Sequence, residues 1–199
     1  MGRIERIQRL KENTRSGILK AALKIIRQEG WHALSMRRIA DEIEYSVPVI
    51  YEYFANKDSL VSELSSKGYA KLTQNILAAK QMTIGSPAEK IEAMWLAYWN
   101  FAFEERELYQ AMFGVEMNCS LEKGSSRGEE VGSLFSDVIK EIIADSNVSD
   151  EIVCTKYFTF WSAVHGLISI NFINKGSSDD INHKVLHEAI ASTIASIKQ

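Results

Sequence analysis

Apolar residues in the first sixty positions recur at helical spacing in three short stretches. The longest stretch begins near the capping candidates Asn13 and Thr14 and stops at Gly30, a residue that commonly ends a helix. Its apolar stripe consists of Ile18, Ala22, Leu23, Ile25 and Ile26. The two shorter stretches carry Met36, Ile39, Ala40 and Ile43, then Ile50 and Phe54. Three helices with one apolar face each can bury those faces together, which predicts an N-terminal three-helix bundle.

The two shorter helices are separated by a tight turn, which predicts a helix-turn-helix. Ser35 is a good N-cap for the first helix, and Ser46 is expected to cap the second. Pro48 then falls in the first turn of the second helix, where a missing amide costs nothing. Residues 47–53 are therefore predicted to form a recognition helix, the element that a helix-turn-helix inserts into the major groove of DNA.

The rest of the chain also has helical periodicity. A long helix is predicted from Asp58 to about Lys80, and a capping box formed by Ser86 and Glu89 begins the next helix, which ends near Glu104. Further helices are expected over about 129–144, 150–174 and 179–198, with a mobile loop at 124–128. Only two prolines and no alternating strand pattern predict an all-α fold. We divide it into a DNA-binding domain at 1–60 and a helical effector-binding and dimerisation domain at 61–199.

Hydroxyl and cationic side chains cluster around the predicted helix-turn-helix, where they could contact phosphates. Arg37 and Arg38 could instead form ion pairs with Asp41 or Glu42 in solvent. Lys57 lies at the positive end of the long helix that Asn56 would cap, which is a natural phosphate site. Apolar side chains near the base edges can contact thymine methyl groups only. The predicted DNA contacts are Ser35, Arg37, Arg38, Ser46, Val47, Val49, Tyr51, Tyr53 and Lys57.

The order of residues between 14 and 60 resembles the DNA-binding domain of TetR/AcrR-family transcriptional regulators. The residues that carry the likeness are Thr14-Arg15, Ile18-Leu19-Lys20-Ala21-Ala22, Gly30, Ser35-Met36-Arg37, Ile39-Ala40, Ser46, Ile50-Tyr51-Glu52-Tyr53-Phe54 and Asn56-Lys57-Asp58-Ser59-Leu60. The resemblance implies a dimer, an all-helical fold and a C-terminal domain that binds a small-molecule inducer. It also implies that the hydroxyl of Tyr51 meets a backbone phosphate.

The turn of the helix-turn-helix departs from the family pattern. Members commonly carry Gly-Val-Ser there, whereas this chain has Glu44-Tyr45-Ser46. A left-handed turn residue would be strained at Glu44, because its Cβ disfavours that backbone conformation. Later in the chain, Trp161, His165 and Gly166 match a short Trp-x-x-x-His-Gly signature found in the C-terminal domain of some TetR-like regulators.

Charge is divided unevenly along the chain. The net charge is −3, but residues 1–60 carry 11 Lys and Arg against 8 Asp and Glu, a net charge of +3, and residues 61–199 carry −6. A basic N-terminal domain favours one docking orientation on DNA and predicts salt-sensitive affinity. Arg3, Arg6, Arg9 and Lys11 precede the bundle, either as an arm that tracks DNA or as an early extension of the first helix.

Cysteine content and hydropathy favour a cytoplasmic protein. Cys119 and Cys154 lack the spacing of a metal site, and no signal peptide or 18-residue apolar run is present. His183 and His187 lie four apart without a third ligand nearby, so we interpret them as surface residues. We therefore expect no metal, no cofactor and no membrane partner. Without a Gly-rich phosphate loop, nucleophile elbow or catalytic cluster, we do not expect an enzyme.

Large aromatic residues in the C-terminal domain either fill a core or line an effector pocket. An apolar pocket with a few polar anchors suits a small apolar or aromatic effector. His165 could orient a polar group of that effector, or bond a backbone carbonyl within the core. The predicted pocket residues are Trp95, Trp99, Phe103, Met112, Trp161 and His165.

The last two predicted helices carry small and aliphatic residues, which allow helices to approach closely. Two copies could pack them as a four-helix dimer interface. These residues are Ser162, Ala163, Gly166, Ser169 and Ile170, then Ala189, Ser192, Thr193, Ala195, Ser196 and Ile197. A homodimer would bind a pseudo-palindromic operator with half-sites about 34–36 Å apart, or a multiple of that distance. The chain is thus predicted to be a dimeric repressor that an effector releases from DNA, with activation or effector-independent regulation as the alternatives.

Overall fold

The computed structural model describes residues 2–114, 126–145, 147–174 and 178–197. Within these ranges it contains nine α-helices, one short 3-10 turn at Trp31–Ala33 and no β-strand. The all-α prediction is confirmed. The helices are α1 Arg3–Glu29, α2 Met36–Glu42, α3 Val47–Tyr53, α4 Lys57–Met82, α5 Pro87–Glu104, α6 Arg106–Phe113, α7 Ser126–Ile143, α8 Asp150–Asn174 and α9 Asp179–Ile197. No helix among the described residues is long and apolar enough to cross a membrane.

The described helices form two compact units. We call residues 2–68 and 107–114 the head, and the described part of 69–106 and 126–197 the body. In the head, α1 packs on α2 and α2 packs on α3. The predicted apolar stripes supply this core, although Leu23 and Ile43 are only half-buried. The most deeply buried residues of these stripes are Ile18, Ala22, Ile25, Ile39, Ala40, Ile50 and Phe54.

The first helix begins much earlier than the sequence pattern predicts. It starts at Arg3, so Asn13 and Thr14 lie within the helix and the predicted start beside them is wrong. Thr14 donates its hydroxyl to the carbonyl of Leu10 at 3.1 Å, a bond that a threonine makes inside a helix. No glycine or proline interrupts residues 3–12, so nothing in that stretch stops the helix. Of the two alternatives for this segment, the structure therefore shows the helical extension.

Helix α6 belongs to the head by its contacts. The indole Nε1 of Trp31 donates to Gln110 Oε1 at 3.0 Å in a buried hydrogen bond. Arg27 on α1 pairs with Glu107 at 2.9 Å. A Cβ added to Gly68 on α4 would lie only 3.3 Å from the carbonyl oxygen of Leu108, so α4 and α6 approach closely there. The head thus includes a helix that the sequence pattern assigns to the second domain.

In the body, α5 packs against α7, α8 and α9, and α8 packs along α9. The predicted capping box is confirmed, because Glu89 N–H donates to Ser86 Oγ at 3.3 Å and Ser86 N–H donates to Glu89 Oε2 at 2.7 Å. This box holds the pKa of Glu89 below its usual value. Helix α7 includes residues 126–128, so the loop predicted at 124–128 is wrong for these three residues. Residues 124 and 125, and Cys119, lie outside the described residues.

Candidate nucleic-acid interface and effector site

The turn between α2 and α3 is a helix C-terminal motif with glutamate in place of the usual glycine. Glu44 has a φ of 58°, so it adopts the left-handed conformation that strains a residue with a Cβ. Tyr45 N–H donates to the carbonyl of Ala40 at 2.9 Å, and Glu44 N–H donates to that of Asp41 at 3.4 Å. These are the two bonds of a Schellman motif, which satisfies carbonyls at the end of α2. The turn therefore keeps its geometry without glycine, at the cost of a strained residue.

The two predicted N-caps of the helix-turn-helix differ in the structure. Ser35 accepts a hydrogen bond from the backbone N–H of Arg38 at 3.1 Å, as predicted. Ser46 occupies the N-cap position of α3 as predicted, but its side chain makes no capping hydrogen bond. Pro48 has no N–H, and the N–H of Val49 donates instead to the carbonyl of Ser46 at 3.0 Å. The exposed hydroxyl of Ser46 is consequently not used by its own helix.

Helix α3 spans the residues predicted for the recognition helix, Val47–Tyr53. Ile50 is fully buried in the head core, while the opposite face of the helix is open to solvent. Tyr51 is 51% exposed, and Glu52 beside it is also exposed. Val47, Val49 and Tyr53 are half-buried at the edges of that face. The open surface of α3 is therefore centred on Tyr51 and Glu52, with the valines beside it.

The two arginines of α2 have different surroundings. Arg37 is exposed and forms no ion pair with any residue that the structure describes. Arg38 donates through Nη2 to Glu29 Oε1 at 2.6 Å, a hydrogen bond that raises the pKa of Arg38 and lowers that of Glu29. The predicted solvent partners, Asp41 and Glu42, are not the groups that Arg38 binds. Arg37 is thus the more available cation for a phosphate.

The start of α4 is arranged as predicted. Ser59 N–H donates to Asn56 Oδ1 at 2.7 Å, so Asn56 caps the helix. Lys57 is the first helical residue and is exposed. The first turn of a helix is the positive end of its dipole, where backbone amides and a cation together suit an anion.

Arg15 holds the end of α3 against α1 and α4. Its Nη1 donates to the carbonyl of Tyr53 at 3.0 Å, and its guanidinium forms an ion pair with Glu63 on α4. The same guanidinium lies 4.5 Å from the centroid of the buried Phe54 ring. The hydrogen bond that Arg15 donates to Glu63 raises the pKa of Arg15, so the guanidinium stays protonated. These contacts of Arg15 join the end of α3 to α4, the helix that begins at Lys57.

One exposed aromatic residue in this region is missing from the predicted contacts. Tyr45 lies in the turn immediately before α3 and is 48% exposed. A tyrosine in place of the apolar turn residue that is common in the resembling family is the signal that could have identified it. Its phenol adds an exposed hydroxyl next to Ser46 in the sequence.

In the body, Trp95 lies at the centre of an aromatic core. It is fully buried and stacks on Phe135 with ring centroids 4.0 Å apart, and on Phe160 at 5.6 Å. Tyr157 lies 6.2 Å away, and burial raises the pKa of its phenol to about 12. Among the described residues, the Trp95 indole Nε1 is a buried donor without a hydrogen-bond partner. An unsatisfied buried donor of this kind costs about 1–3 kcal/mol.

Polar groups continue from Trp95 toward Trp161. Tyr98 contacts Trp95 edge-on at 5.5 Å, and its hydroxyl lies 3.4 Å from His165 Nδ1. Trp161 stacks on the His165 ring at 4.4 Å. Burial lowers the pKa of His165, which therefore favours its neutral form. The structure thus brings three predicted pocket residues into one chain of contacts through Tyr98, which was not among them.

The other three predicted pocket residues lie elsewhere. Trp99 contacts Phe103 at 4.6 Å, and Phe103 contacts Phe172 at 5.5 Å, which forms a second aromatic group in the body. Phe103 is exposed to solvent. Met112 is buried in the head beside Gly68 rather than in the body. His183 and His187 are exposed, in agreement with the prediction that they are surface residues.

Comparison with known families decides the class of the protein. Residues 18–64 match the family described as bacterial regulatory proteins, tetR family, and residues 91–191 match the tetracyclin repressor-like C-terminal domain. The second match covers half of the chain. The chain belongs to the TetR family. The first TetR match includes α2, α3 and the start of α4, so the helix-turn-helix described above is the DNA-binding motif of a transcriptional regulator.

Individual relatives and solved structures agree with this assignment. The chain is 27% identical over 103 residues to the HTH-type transcriptional activator FasR of Mycolicibacterium smegmatis, an alignment that spans 52% of this chain and 47% of the relative. A protein of unknown function from Rhodococcus sp. RHA1 superposes with a TM-score of 0.76 at 20% identity, over 93% of this chain and 95% of that one. The TetR-family regulator PfmR of Thermus thermophilus superposes with a TM-score of 0.67 at 16% identity, over 89% of this chain and 97% of that one. The structural likenesses extend the shared fold over nearly the whole chain.

Proposed function

We propose that this TetR-family regulator is a homodimer whose two heads bind a pseudo-palindromic operator, and that a small effector bound in the body releases it. DNA binding is assigned to residues 1–60, and effector binding and dimerisation to 61–199. The observation that carries the proposal is α3, which buries Ile50 and leaves Tyr51 open to solvent beside exposed hydroxyl and cationic groups. The protein would act in the cytoplasm, where bacterial DNA is found.

We assign phosphate contacts to the groups that flank α3. Arg37, Tyr51 and Lys57 are exposed, and the unused hydroxyl of Ser46 and the phenol of Tyr45 lie nearby in sequence. Ser35 can still donate its proton although its oxygen caps α2, because a hydroxyl is both donor and acceptor. Tyr53 is half-buried and Arg38 is paired with Glu29, so we expect smaller contributions from both. Val47 and Val49 are assigned to apolar contacts with bases.

A selection from a random duplex library, followed by mobility shifts at several salt concentrations, tests this assignment. Lys57→Gln should weaken binding to every sequence and reduce the salt slope, because it removes a charge. Tyr51→Phe should weaken binding to every sequence with the slope unchanged, and Val49→Ala should mainly change sequence preference. Lys140→Gln in the body removes the same charge as Lys57→Gln and serves as the matched control. Recovery of no duplex, or equal binding by all four variants, would contradict the proposal.

The homodimer is supported by an apolar face on α8 and α9. Large apolar side chains are exposed there, and a Cβ added at Gly166 would meet no atom within 4 Å. Thr155 and Thr159 on α8 donate their hydroxyls to carbonyls one turn earlier at 2.8 Å, so covering them would leave no donor unsatisfied. The exposed apolar residues are Ile152, Phe158, Ile170, Ile173, Ile181 and Val185. Of the predicted small residues, Thr193 and Ile197 are instead buried inside the body.

Sedimentation of two matched variants tests the dimer. Ile170→Glu places a charge in the proposed interface and should yield monomers with weak operator binding. Ile84→Glu introduces the same charge at a fully exposed loop position and should leave a dimer. If Ile170→Glu sediments as the parent does, the interface lies elsewhere.

The effector is proposed to be uncharged, apolar or aromatic, with one hydrogen-bond acceptor. No Lys, Arg, Asp or Glu is buried among the described residues, so a charged group inside the body would lack a compensating charge. The unpartnered Nε1 of Trp95 could donate to the acceptor, and the neutral His165 beside Trp161 could orient it. Trp99 and Phe103 are assigned to the outer lining of the effector site. Met112 lies in the head and is not assigned to that lining.

Ligand screening against two Trp95 variants tests the effector site. Trp95→Phe keeps most of the ring volume and removes only the donor, so it should weaken effector affinity about fivefold to fiftyfold while operator binding stays unchanged. Trp31→Phe makes the same substitution in the head, outside the proposed site, and is the control for effector affinity. Equal effector affinity in parent and Trp95→Phe would remove Nε1 from the site.

Activation is the second candidate, because the relative FasR is named a transcriptional activator. A repressor and an activator would bind DNA with the same head. They would differ in whether the bound protein lowers or raises transcription. In vitro transcription from a template with the selected operator would separate them. Repression requires fewer transcripts in the presence of the protein and recovery with effector, whereas activation requires more transcripts.

A further inference from the structure

We propose that the first three turns of α1, residues 3–12, bind DNA phosphates outside the reach of the recognition helix. This inference rests on the proposed function, because it adds a contact surface to the same operator complex. The segment is helical, and every one of its side chains is exposed. It therefore projects from the head as a helix with no packed neighbour among the described residues.

Charge identifies the partner of this segment. Arg3, Arg6, Arg9 and Lys11 form no ion pair with any residue in the described ranges. Of its two acids, Glu5 accepts from the N–H of Gly2 at 2.9 Å, and Glu12 accepts from Gln8 at 3.0 Å. The segment thus presents four free cations and only two carboxylates, both of which are engaged locally. A polyanion with regularly spaced charges is the partner that such a helix fits.

Contacts inside the head show toward which end α1 projects. At one end, Arg27 of α1 pairs with Glu107 of α6, and Gly68 of α4 also approaches α6. Further along, Arg15 of α1 pairs with Glu63 of α4. Both α1 and α4 therefore run in the same direction. Each has its higher-numbered residues near α6 and its lower-numbered residues toward Lys57. The projecting segment continues on the side where α4 begins.

The length of the segment takes it past the proposed phosphate site. From Arg15 to Arg3 a helix rises about 18 Å, whereas from Glu63 to Lys57 it rises about 9 Å. Arg15 also bonds the carbonyl of Tyr53, the last residue of α3. The cationic segment is thus continuous with the surface formed by Tyr53 and Lys57, and its outer arginines reach phosphates beyond those that Lys57 contacts.

The segment also carries three exposed apolar residues, Ile4, Ile7 and Leu10. These could face a lipid surface or a second copy of the chain, so both partners are included as outcomes of the test. The unpaired cations and the position beside α3 favour DNA. If DNA is the partner, Ile4→Ala/Ile7→Ala/Leu10→Ala should bind the operator with the salt slope of the parent.

The experiment measures operator affinity of the full chain against salt concentration. Arg3→Gln/Arg6→Gln/Arg9→Gln keeps helix-forming side chains and removes three charges per subunit. Each lost phosphate contact lowers the slope of log affinity against log salt by about 0.9, so the six charges removed from a dimer should lower it by about 5. Lys90→Gln/Lys140→Gln/Lys184→Gln removes the same charge from the body and should change the slope by less than about 1.

Hydrogen exchange on the same samples provides a second readout. A projecting helix of three turns is marginal by itself, so its amides should exchange fast in free protein and slow at least about tenfold with operator bound. The inference is overturned if the arginine variant keeps the parent slope. It is also overturned if the variant instead loses binding to phosphatidylserine vesicles or changes its oligomeric state. A parent that binds no duplex at all would overturn the proposed function with it.

Discussion

The head and the body use apolar residues in different ways. In the head, aliphatic side chains from α1, α2 and α3 make up most of the core together with Phe54 and Trp31, and the proposed site is a polar surface around Tyr51. In the body, apolar residues fill the core around Trp95, form the proposed effector site and cover the outer faces of α8 and α9. The polar residues of a surface site can be told apart in the sequence from the apolar residues of the core. The apolar residues of a buried site are of the same types as the core around them. This contrast explains why the two sites could be predicted to such different degrees.

The largest expected effect comes from the body core. Trp95→Ala removes a side chain that stacks on Phe135 and Phe160, and should destabilise the body by about 3–5 kcal/mol. Trp95→Phe keeps most of the volume and should cost less than about 1.5 kcal/mol. Urea unfolding followed by near-ultraviolet circular dichroism measures both. A loss below about 1 kcal/mol for Trp95→Ala would mean that the aromatic core is not tightly packed.

In the head, the buried hydrogen bond between Trp31 and Gln110 should matter next. Gln110→Leu leaves the Trp31 indole without its acceptor and should cost about 1–3 kcal/mol of unfolding free energy. Adding Trp31→Phe removes the stranded donor and should recover part of that loss. A double-mutant cycle with no coupling between the two positions would show that α6 is not held to the head by this bond.

Each unit contains one left-handed residue that is not glycine, which permits a matched pair of substitutions. Glu44 has a φ of 58° in the head, and Ala144 has a φ of 55° in the body. Glycine at either position relieves the strain but adds freedom to the unfolded chain, so each change should stabilise by about 0.5–1 kcal/mol. Thermal unfolding measures the gain. Destabilisation by Glu44→Gly would show that its side chain contributes more than the strain costs.

The smallest effect should appear as a pH dependence of the body. Burial lowers the pKa of His165 below its ordinary value of 6.5, so the unfolded chain binds the proton more readily than the folded chain. Stability from this group is therefore complete above about pH 6.5 and is lost as the pH falls through the lowered pKa. Urea midpoints at about pH 7.5 and 5.5 should differ more for the parent than for His165→Asn. An equal difference would indicate that His165 is not desolvated.

Local chemistry predicted the head in detail. The bounds of α3, the Ser35 cap and the cap at Asn56 each depend on a few neighbouring residues, and the structure contains all of them. Partners far away in sequence could not be predicted in this way. The pair between Arg38 and Glu29 joins two helices, and spacing along one helix gives no information about it.

Predictions for the body depend on which apolar residues meet in three dimensions. Helical spacing cannot distinguish Trp95, which is fully buried, from Phe103, which is exposed, because both lie on an aromatic-rich helix. Met112 was grouped with them by its position in the chain, although its neighbour in space is Gly68 of the head. The early start of α1 was missed for another reason, because capping residues such as Thr14 are also tolerated inside helices.

The most direct test of the central claim is a hydroxyl-radical footprint of the full chain on its selected duplex. Two heads that each place α3 in the major groove should protect two backbone segments with centres about 10–10.5 base pairs apart, or a multiple of that spacing. Tyr51→Phe should weaken the protection of both segments equally. A single protected segment, or a footprint that Tyr51→Phe leaves unchanged, would contradict the account.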